Sequence, residues 1–561
     1  MGLGKSLVMI STIAGSLDRA EFFRDAGSQS FAASPSQKVR TKATLVVAPS
    51  SLLIDSWVDE IRKHTYTGAM SFHRHIGSTR HTETNCLQTS MIVFTTYATI
   101  AMELSRGINS LPQLHWFRIV LDEAHDIRNK ATKQYHAISN LSAEHRWCLT
   151  GTPIQNSLDD LGALIAFLKV PILEHAPAFR KFITTPILSE SGRRKDRFKN
   201  LQLLLQTLCL RRTRELLDLP KPITQERRLQ LSLQEQAEYR EILQRCRSDI
   251  DMAVSGRGKA KVNSTVLESL LKLRLYCNNG MATNMQVTTL ERLPADPDEI
   301  LSLLQQMDRN VCAYCSGAIY SINPAADADG GLLLPNCKHM VCRTCMVQHR
   351  FHKQQCPTCA SGGDDPMPGD SANFEAARYE SPSHPIFYPT KLRSLFTDIS
   401  REPLEKSIVF SSWKKTLTLF GKLLSHHDAH YAMIDGSLSL SERLKVLKDF
   451  RSPTGANMLL MTLGTGAVGL NLAVASRIYL LEPQWNPMIE SQAIGRALRL
   501  GQTAQVVIVR YIMEDTVEES NVLSRQRTKL QLAGSGFGRS KEASSEQLQA
   551  MLNIFGIDSG I

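Results

Sequence analysis

No run of apolar residues in this 561-residue chain approaches the roughly 18 needed to span a bilayer, which argues against a membrane-spanning protein and against a membrane partner. An acidic excess is also lacking. Against 54 Asp and Glu stand 65 Lys and Arg, giving a net charge of +11 and a pI near 9.0, so the favoured partner is a polyanion, nucleic acid first among them. Tandem repeats are missing, which sets aside solenoids and propellers. So is the even cysteine spread of a disulfide framework: of 12 cysteines, seven fall between Cys312 and Cys359 in ligand-like pairs and the rest are scattered. That usage points to a reducing, intracellular compartment.

What is present is ordinary globular composition, 42% hydrophobic and 21% charged, over a length that implies three or more folded units. The first third alternates short β-branched runs with amphipathic stretches. Thr44 to Ala48, Met91 to Thr95 and Arg118 to Leu121 read as buried strands, a parallel α/β pattern. The same pattern returns from about Pro389, with Ser407 to Ser411, Met458 to Thr462 and Arg477 to Leu481 as strands. Between the two lobes, Leu267, Leu270, Leu271 and Leu275 form a helical apolar face after a polar break from Ser255 to Ser264. Ser361 to Pro389, rich in Gly, Pro, Ser and acids, reads as a linker.

Three motifs carry nucleotide chemistry. Gly2-Leu3-Gly4-Lys5-Ser6 has the residues of a phosphate-binding loop: Gly2 and Gly4 let backbone N–H groups approach phosphate, Lys5 would reach the terminal oxygens, and Ser6 would bind magnesium. Alone the string is common by chance. Val120-Leu121-Asp122-Glu123 brings two acids to a strand end, where Asp122 can hold magnesium and Glu123 can act as base toward water. Solvated acids at strand ends are common too. The third motif, Gln492-Ala493-Ile494-Gly495-Arg496-Ala497-Leu498-Arg499, sets Arg496 and Arg499 three apart on one helical face, suited to a γ-phosphate, with Gln492 also at the nucleotide. A surface basic face is the alternative for each singly. Order and co-occurrence favour an ATPase built between two lobes, with ATP and magnesium as cofactors.

With Val47-Ala48-Pro49-Ser50, Trp57, Phe94-Thr95-Thr96-Tyr97, Thr150-Gly151-Thr152-Pro153-Ile154-Gln155-Asn156, Ile434-Asp435-Gly436-Ser437, Gly469-Leu470-Asn471-Leu472 and Trp485-Asn486-Pro487, the ordered set resembles the Swi/Snf-type helicase-like ATPases of helicase superfamily two. The resemblance implies two RecA-like doubly wound parallel-sheet lobes that close on ATP and step along duplex DNA, with Thr150-Gly151-Thr152 coupling the two sites. Contacts to backbone phosphates would make binding salt-sensitive. The family usually places Asp and His where Gly495 and Leu498 stand. It also carries residues and a strand ahead of the Gly-Lys-Ser string, so the first lobe is expected to be N-terminally incomplete, as a fragment or with a crippled nucleotide site. The same resemblance sets aside two other readings of the N-terminus, a short signal peptide from Lys5 to Leu17 and a myristoylation pattern at Gly2.

Cys312-x-x-Cys315, Cys337-x-His339, Cys342-x-x-Cys345 and Cys356-x-x-Cys359 supply eight ligands, enough for two closed tetrahedral zinc sites. With no open position for water, both ions are structural. This pattern resembles a RING finger, whose cross-brace implies Cys312, Cys315, Cys342 and Cys345 on one zinc and Cys337, His339, Cys356 and Cys359 on the other. It further implies a surface near Tyr314 and Pro357 that docks a ubiquitin-conjugating enzyme. Ala360 stands where active ligases often carry a basic residue, and a pure docking module is the alternative.

The expected organisation is a first lobe over 1–225, a helical bridge over 226–308, a RING over 309–361, a linker over 362–388, a second lobe over 389–532 and a helical tail over 533–561. A RING between motor lobes resembles the Rad-five and helicase-like transcription factor subgroup. The expectation is a nuclear DNA-repair translocase and ubiquitin ligase acting on double-stranded DNA or chromatin. A DNA-binding RING scaffold with weak or no turnover, and a nucleosome remodeller, are the alternatives. Arg193-Arg194-Lys195 reads as loop surface or a nuclear signal.

Overall fold

The computed structural model describes residues 4–28, 38–76, 85–108, 110–151, 153–154, 158–188, 198–211, 220–255, 259–281, 387–436, 440–466, 472–485, 487–499 and 502–523, parts of 300–361, and a few single positions. Gly2, Thr152, Gln155, Asn156, Arg193 to Lys195, Ser437, Gly469 to Asn471, Asn486, most of the 362–388 linker and the 533–561 tail lie outside the described residues.

The first sheet has the order β2-β3-β1-β4-β5 and is parallel throughout; its strands are β1 (Val39–Ala48), β2 (Phe72–Arg74), β3 (Ile92–Thr96), β4 (Leu114–Asp122) and β5 (Ser142–Leu149). Helices cover both faces. That is why Leu45 to Ala48 and Ile119 to Leu121 read as unbroken apolar runs, all 0% exposed. Parallel register also sends every strand's C-terminal end to one edge, which gathers Ala48, Thr96, Asp122 and Leu149 there. Two caps fix the chain as it leaves that edge: Ser50 accepts from Leu53 N at 3.4 Å and Thr96 from Thr99 N at 3.2 Å.

The second sheet runs β10-β11-β9-β12-β13-β6, again all parallel. Its own strands are β9 (Ser407–Ser411), β10 (Tyr431–Ile434), β11 (Met458–Thr462), β12 (Arg477–Leu480) and β13 (Val507–Met513). The sixth comes from outside the expected lobe: β6 (Ile223–Leu229) pairs along β13 from Ile223 with Val507 to Leu229 with Met513. The boundary expected at 225 therefore falls inside a strand of the second lobe. An exposed edge strand of sequence Ile-Thr-Gln-Glu-Arg-Arg-Leu carries no apolar run to announce it.

Two helices follow, Leu233–Ser255 and Lys259–Asn279, so the polar stretch expected as a break from 255 to 264 is largely the start of the second helix. Tyr239, Cys246, Ile250, Val266, Leu270 and Leu273 join Met513 and Val517 in one core, which seats the helical pair on the second lobe. Of the expected apolar face, Leu270 enters that core while Leu271 packs on Trp413 with Leu267 and Leu275 beside it.

Polar groups reinforce the joint. Lys391 and Glu518, both 0% exposed, are 2.7 Å apart; Lys391 Nζ also donates to Asn278 at 2.7 Å, and Asn278 Nδ2 to Glu482 at 3.0 Å. Replacing Lys391 by alanine would strand Glu518 as a buried unpaired charge and should cost about 3–5 kcal/mol. Denaturant unfolding of the second lobe would read that loss, and Lys391→Ala with Glu518→Ala should recover part of it.

The cysteine-rich module packs on the first lobe. Its hairpin, β7 (Gly331–Leu333) with β8 (Met340–Cys342), and the helix Arg343–Phe351 share one core with Tyr97, Ile100, Ala101, Ala137 and Ile138. Close approach is demanded at Gly317, where a Cβ would stand 2.5 Å from Gln134 Nε2 on the helix Lys133–Ser139. Tyr314, expected at a docking surface, is instead 4% exposed, its hydroxyl 3.0 Å from His349 Nδ1. A buried phenol needs such a partner, and the module's helix supplies it.

Candidate nucleotide site and zinc module

The helix Lys5–Ala14 begins at Gly4, whose φ of 73° lies in the left-handed region that glycine adopts without strain. No side chain caps this terminus. Its first-turn N–H groups and the positive end of the helix dipole are thus available to an anion, as a phosphate-binding loop requires. Lys5 and Ser6 occupy the first two helical positions, and Lys5 Nζ is 3.6 Å from Glu123 Oε1.

At the end of β4, Asp122 is buried and held from three sides. Trp57 Nε1 donates to its Oδ2 at 2.9 Å, its Oδ1 accepts from Glu123 N at 3.0 Å, and Tyr97 hydroxyl donates to its carbonyl at 2.8 Å. Glu123 sits at φ 44°, ψ 52°, a left-handed conformation that costs a non-glycine residue about 1–3 kcal/mol and clusters at functional sites. The turn brings its carboxylate to Lys5 and to His125, whose Nδ1 is 3.4 Å from Oε2.

Burial by itself raises both carboxyls, but the outcome differs. For Asp122 burial and the neighbouring Glu123 charge prevail over the Trp57 hydrogen bond and Lys5, and the pKa is raised. For Glu123 the burial effect is outweighed by the His125 hydrogen bond and the charges of Lys5, His125 and Arg496, which hold it down to about 2. For His125, burial lowers the pKa, but the Glu123 hydrogen bond with the Asp126 and Glu123 charges prevails and raises it. Stability from the His125 ion pair is therefore present below the unfolded pKa of about 6.5 and lost as pH rises through the folded value. Without nucleotide, melting temperature should fall as pH is raised from about 6 to 9, and His125→Gln should flatten that slope.

The second lobe contributes the helix Pro487–Ala497. Gln492 is half-buried on it, and Arg496 in its last turn lies within electrostatic reach of both Glu123 and Asp122. Arg499 departs from expectation. The helix stops at Ala497 and Arg499 N turns back to Ala497 O at 3.1 Å, so the two arginines do not share one helical face. Arg499 reaches Glu60 on the helix Ser51–His64 of the first lobe at 3.9 Å. Sequence reasoning assigned no role to Trp57, Tyr97, His125 or Glu60. A buried indole and phenol, each needing an acceptor, were the available signal for the first two.

Within the zinc module, Cys312, Cys315, Cys342 and Cys345 bring their ligand atoms within 4.8 Å of one another, and so do Cys337, His339, Cys356 and Cys359. A tetrahedron with Zn–S bonds of about 2.3 Å has S–S edges of about 3.8 Å and, with Zn–N near 2.05 Å, S–N edges of about 3.5 Å. Cys315 and Cys342 Sγ are 3.8 Å apart, and Cys356 and Cys359 Sγ stand 3.6 and 3.4 Å from His339 Nδ1. Both quartets fit zinc, and each offers four ligands, the number that closes a structural site.

A family model for the SNF2-related domain matches residues 1–282, and one for the helicase conserved C-terminal domain matches residues 389–501. The chain belongs to the SNF2-related family. Among curated relatives, the helicase-like transcription factor of Mus musculus is 30% identical over 92% of this chain and 53% of its own length. DNA repair protein RAD5A of Arabidopsis thaliana is 31% identical, covering 87% of this chain and 50% of that protein. A putative SWI/SNF-related matrix-associated actin-dependent regulator of chromatin, subfamily A member 3-like 1, also of Arabidopsis thaliana, is 30% identical over 92% of this chain and 60% of the relative. The chain thus spans about half to three fifths of these relatives, which fall in the expected subgroup of SNF2-related proteins. The solved Sulfolobus solfataricus SWI2/SNF2 ATPase core in complex with dsDNA aligns over 98% of this chain and 91% of its own at 22% identity, with a TM-score of 0.35.

Proposed function

We propose that this SNF2-related chain is a DNA-dependent ATPase that translocates on double-stranded DNA, acts in the nucleus in DNA repair or on chromatin, and carries a RING-type zinc module for ubiquitin transfer. The observation that carries the motor reading is the convergence of Lys5, Asp122 and Glu123 from one lobe with Arg496 from the other. Gly4, Lys5 and Ser6 hold phosphate, and Ser6 and Asp122 hold magnesium, which would neutralise phosphate charge. Trp57 keeps the Asp122 carboxylate oriented. Glu123 orients the attacking water and accepts its proton, with His125 steadying the charge. Arg496 counters charge developing on the transferred phosphoryl group. Gln492 contributes to nucleotide binding and Arg499 joins the phosphate when the lobes shift.

Two structural zinc ions close the ligand quartets, and a ubiquitin-conjugating enzyme docks at the module near Pro357. Buried Tyr314 takes no part in that surface.

The test is ATP hydrolysis by the full chain with and without duplex DNA. DNA-stimulated turnover that falls by on the order of 100-fold or more in Glu123→Gln, with ATP binding retained, supports the motor. Turnover equal in wild type and variant overturns it. Zinc-dependent discharge of ubiquitin from a charged conjugating enzyme tests the second activity.

A further inference from the structure

The helix that brings Arg496 to the first lobe is tethered at its other end by a single buried carboxylate. Glu490, 4% exposed and in the first turn of Pro487–Ala497, accepts from Gln484 N at 2.7 Å through Oε1 and from Arg510 Nη2 at 2.7 Å through Oε2, while Gln526 Nε2 also reaches Oε1. These partners come from three places: the segment leaving β12, the middle of β13, and the chain beyond it. Gln484 in turn bonds Ser412 at 2.7 Å and Glu482 at 3.1 Å, which extends the anchorage to the ends of β9 and β12. One side chain thus fixes the start of the arginine helix to β13, to the segment leaving β12 and to Gln526 beyond the sheet. Nothing comparable is needed to keep an amphipathic helix on a sheet, since Ala493 and Ala497 already bury its inner face. What the carboxylate adds is a fixed depth and rotation for the residues farther along.

We propose that Glu490 is a positioning residue for phosphoryl transfer: its clamp on Gln484, Arg510 and Gln526 sets the helix so that Arg496 meets Glu123 and Asp122. The inference rests on the ATPase reading above. A displacement of about 1 Å at a reacting group can cost on the order of 100-fold in rate. In Glu490→Gln the new amide would point N–H groups at the N–H groups of Arg510 or Gln526. The helix would shift without a cavity being made.

The experiment compares wild type, Glu490→Gln, Arg496→Ala and the double variant for DNA-stimulated turnover, ATP KM and melting. Hydrogen exchange of amides 491–497 is followed in parallel and does not depend on turnover. Expected are a 10- to 100-fold fall in kcat for Glu490→Gln with ATP KM nearly unchanged, no further loss in the double variant relative to Arg496→Ala, and faster exchange confined to 491–497. Unchanged kcat, an additive double variant, or exchange indistinguishable from wild type overturns the proposal. If Glu490→Gln does not fold, Arg510→Gln removes the same clamp from the sheet side and is read by the same criteria. A wild type that shows no turnover while exchange at 491–497 responds as expected would refute the ATPase reading and leave the tether standing.

Discussion

Arg496→Ala is expected to lower DNA-stimulated ATP turnover by on the order of 1,000-fold or more, with ATP binding little changed. An arginine delivered to the phosphoryl group from a second body is commonly worth that much, because it acts on charge that develops only in the transition state. The structure separates this residue from its neighbour. Arg496 is in the last turn of its helix, within reach of Glu123 and Asp122, whereas Arg499 lies past the helix end and pairs with Glu60. Arg499→Ala should therefore cost less, and Glu60→Gln should alter the Arg499 phenotype while leaving that of Arg496 intact. Single-turnover kinetics at saturating ATP check this directly; equal losses for the two arginines would mean that both reach the phosphate at once.

Removing zinc should have the largest effect on stability. Structural zinc in small modules contributes about 10–16 kcal/mol of apparent binding free energy, all of it folding free energy where no site exists in the unfolded chain. Here the consequence should extend past the module itself, because Cys312, Tyr314, Ile319 and Met340 are continuous with the core around Tyr97, Ile100 and Ala137 of the first lobe. Chelation is expected to release two zinc ions per chain and expose the helix Tyr97–Ser105 to protease. Since the Tyr97 hydroxyl bonds the Asp122 carbonyl at 2.8 Å, it should also weaken the acidic turn. Metal analysis with limited proteolysis reads all of this. Two ions lost with no new cleavage in the first lobe would show that the module is an independent unit.

Much of the architecture was legible in the sequence because the signals were local. Buried parallel strands must be apolar on both faces, so Ser407 to Ser411 and Met458 to Thr462 stood out with their bounds intact. Pairs of cysteines two residues apart need no tertiary knowledge to be read as ligands. Two adjacent acids after an apolar strand likewise marked the end of β4, although the left-handed turn at Glu123 and the pKa contrast it creates left no trace in residue order. Nor did the anchoring of Asp122 by Trp57, which is 65 positions away.

Sequence alone therefore determined the kind of the main units: two parallel α/β lobes and, between them in the chain, a module with eight metal-type ligands. Tertiary structure decided how those units meet. It assigned the polar strand Ile223–Leu229 to the second sheet, the zinc module to the flank of the first lobe, Arg496 rather than Arg499 to the acids, and Glu490 to the root of the arginine helix. The reason is one of range. Secondary structure and ligand pairs are specified by residues a few positions apart, whereas these contacts join residues tens to hundreds of positions apart and depend on which faces remain open after each unit has folded.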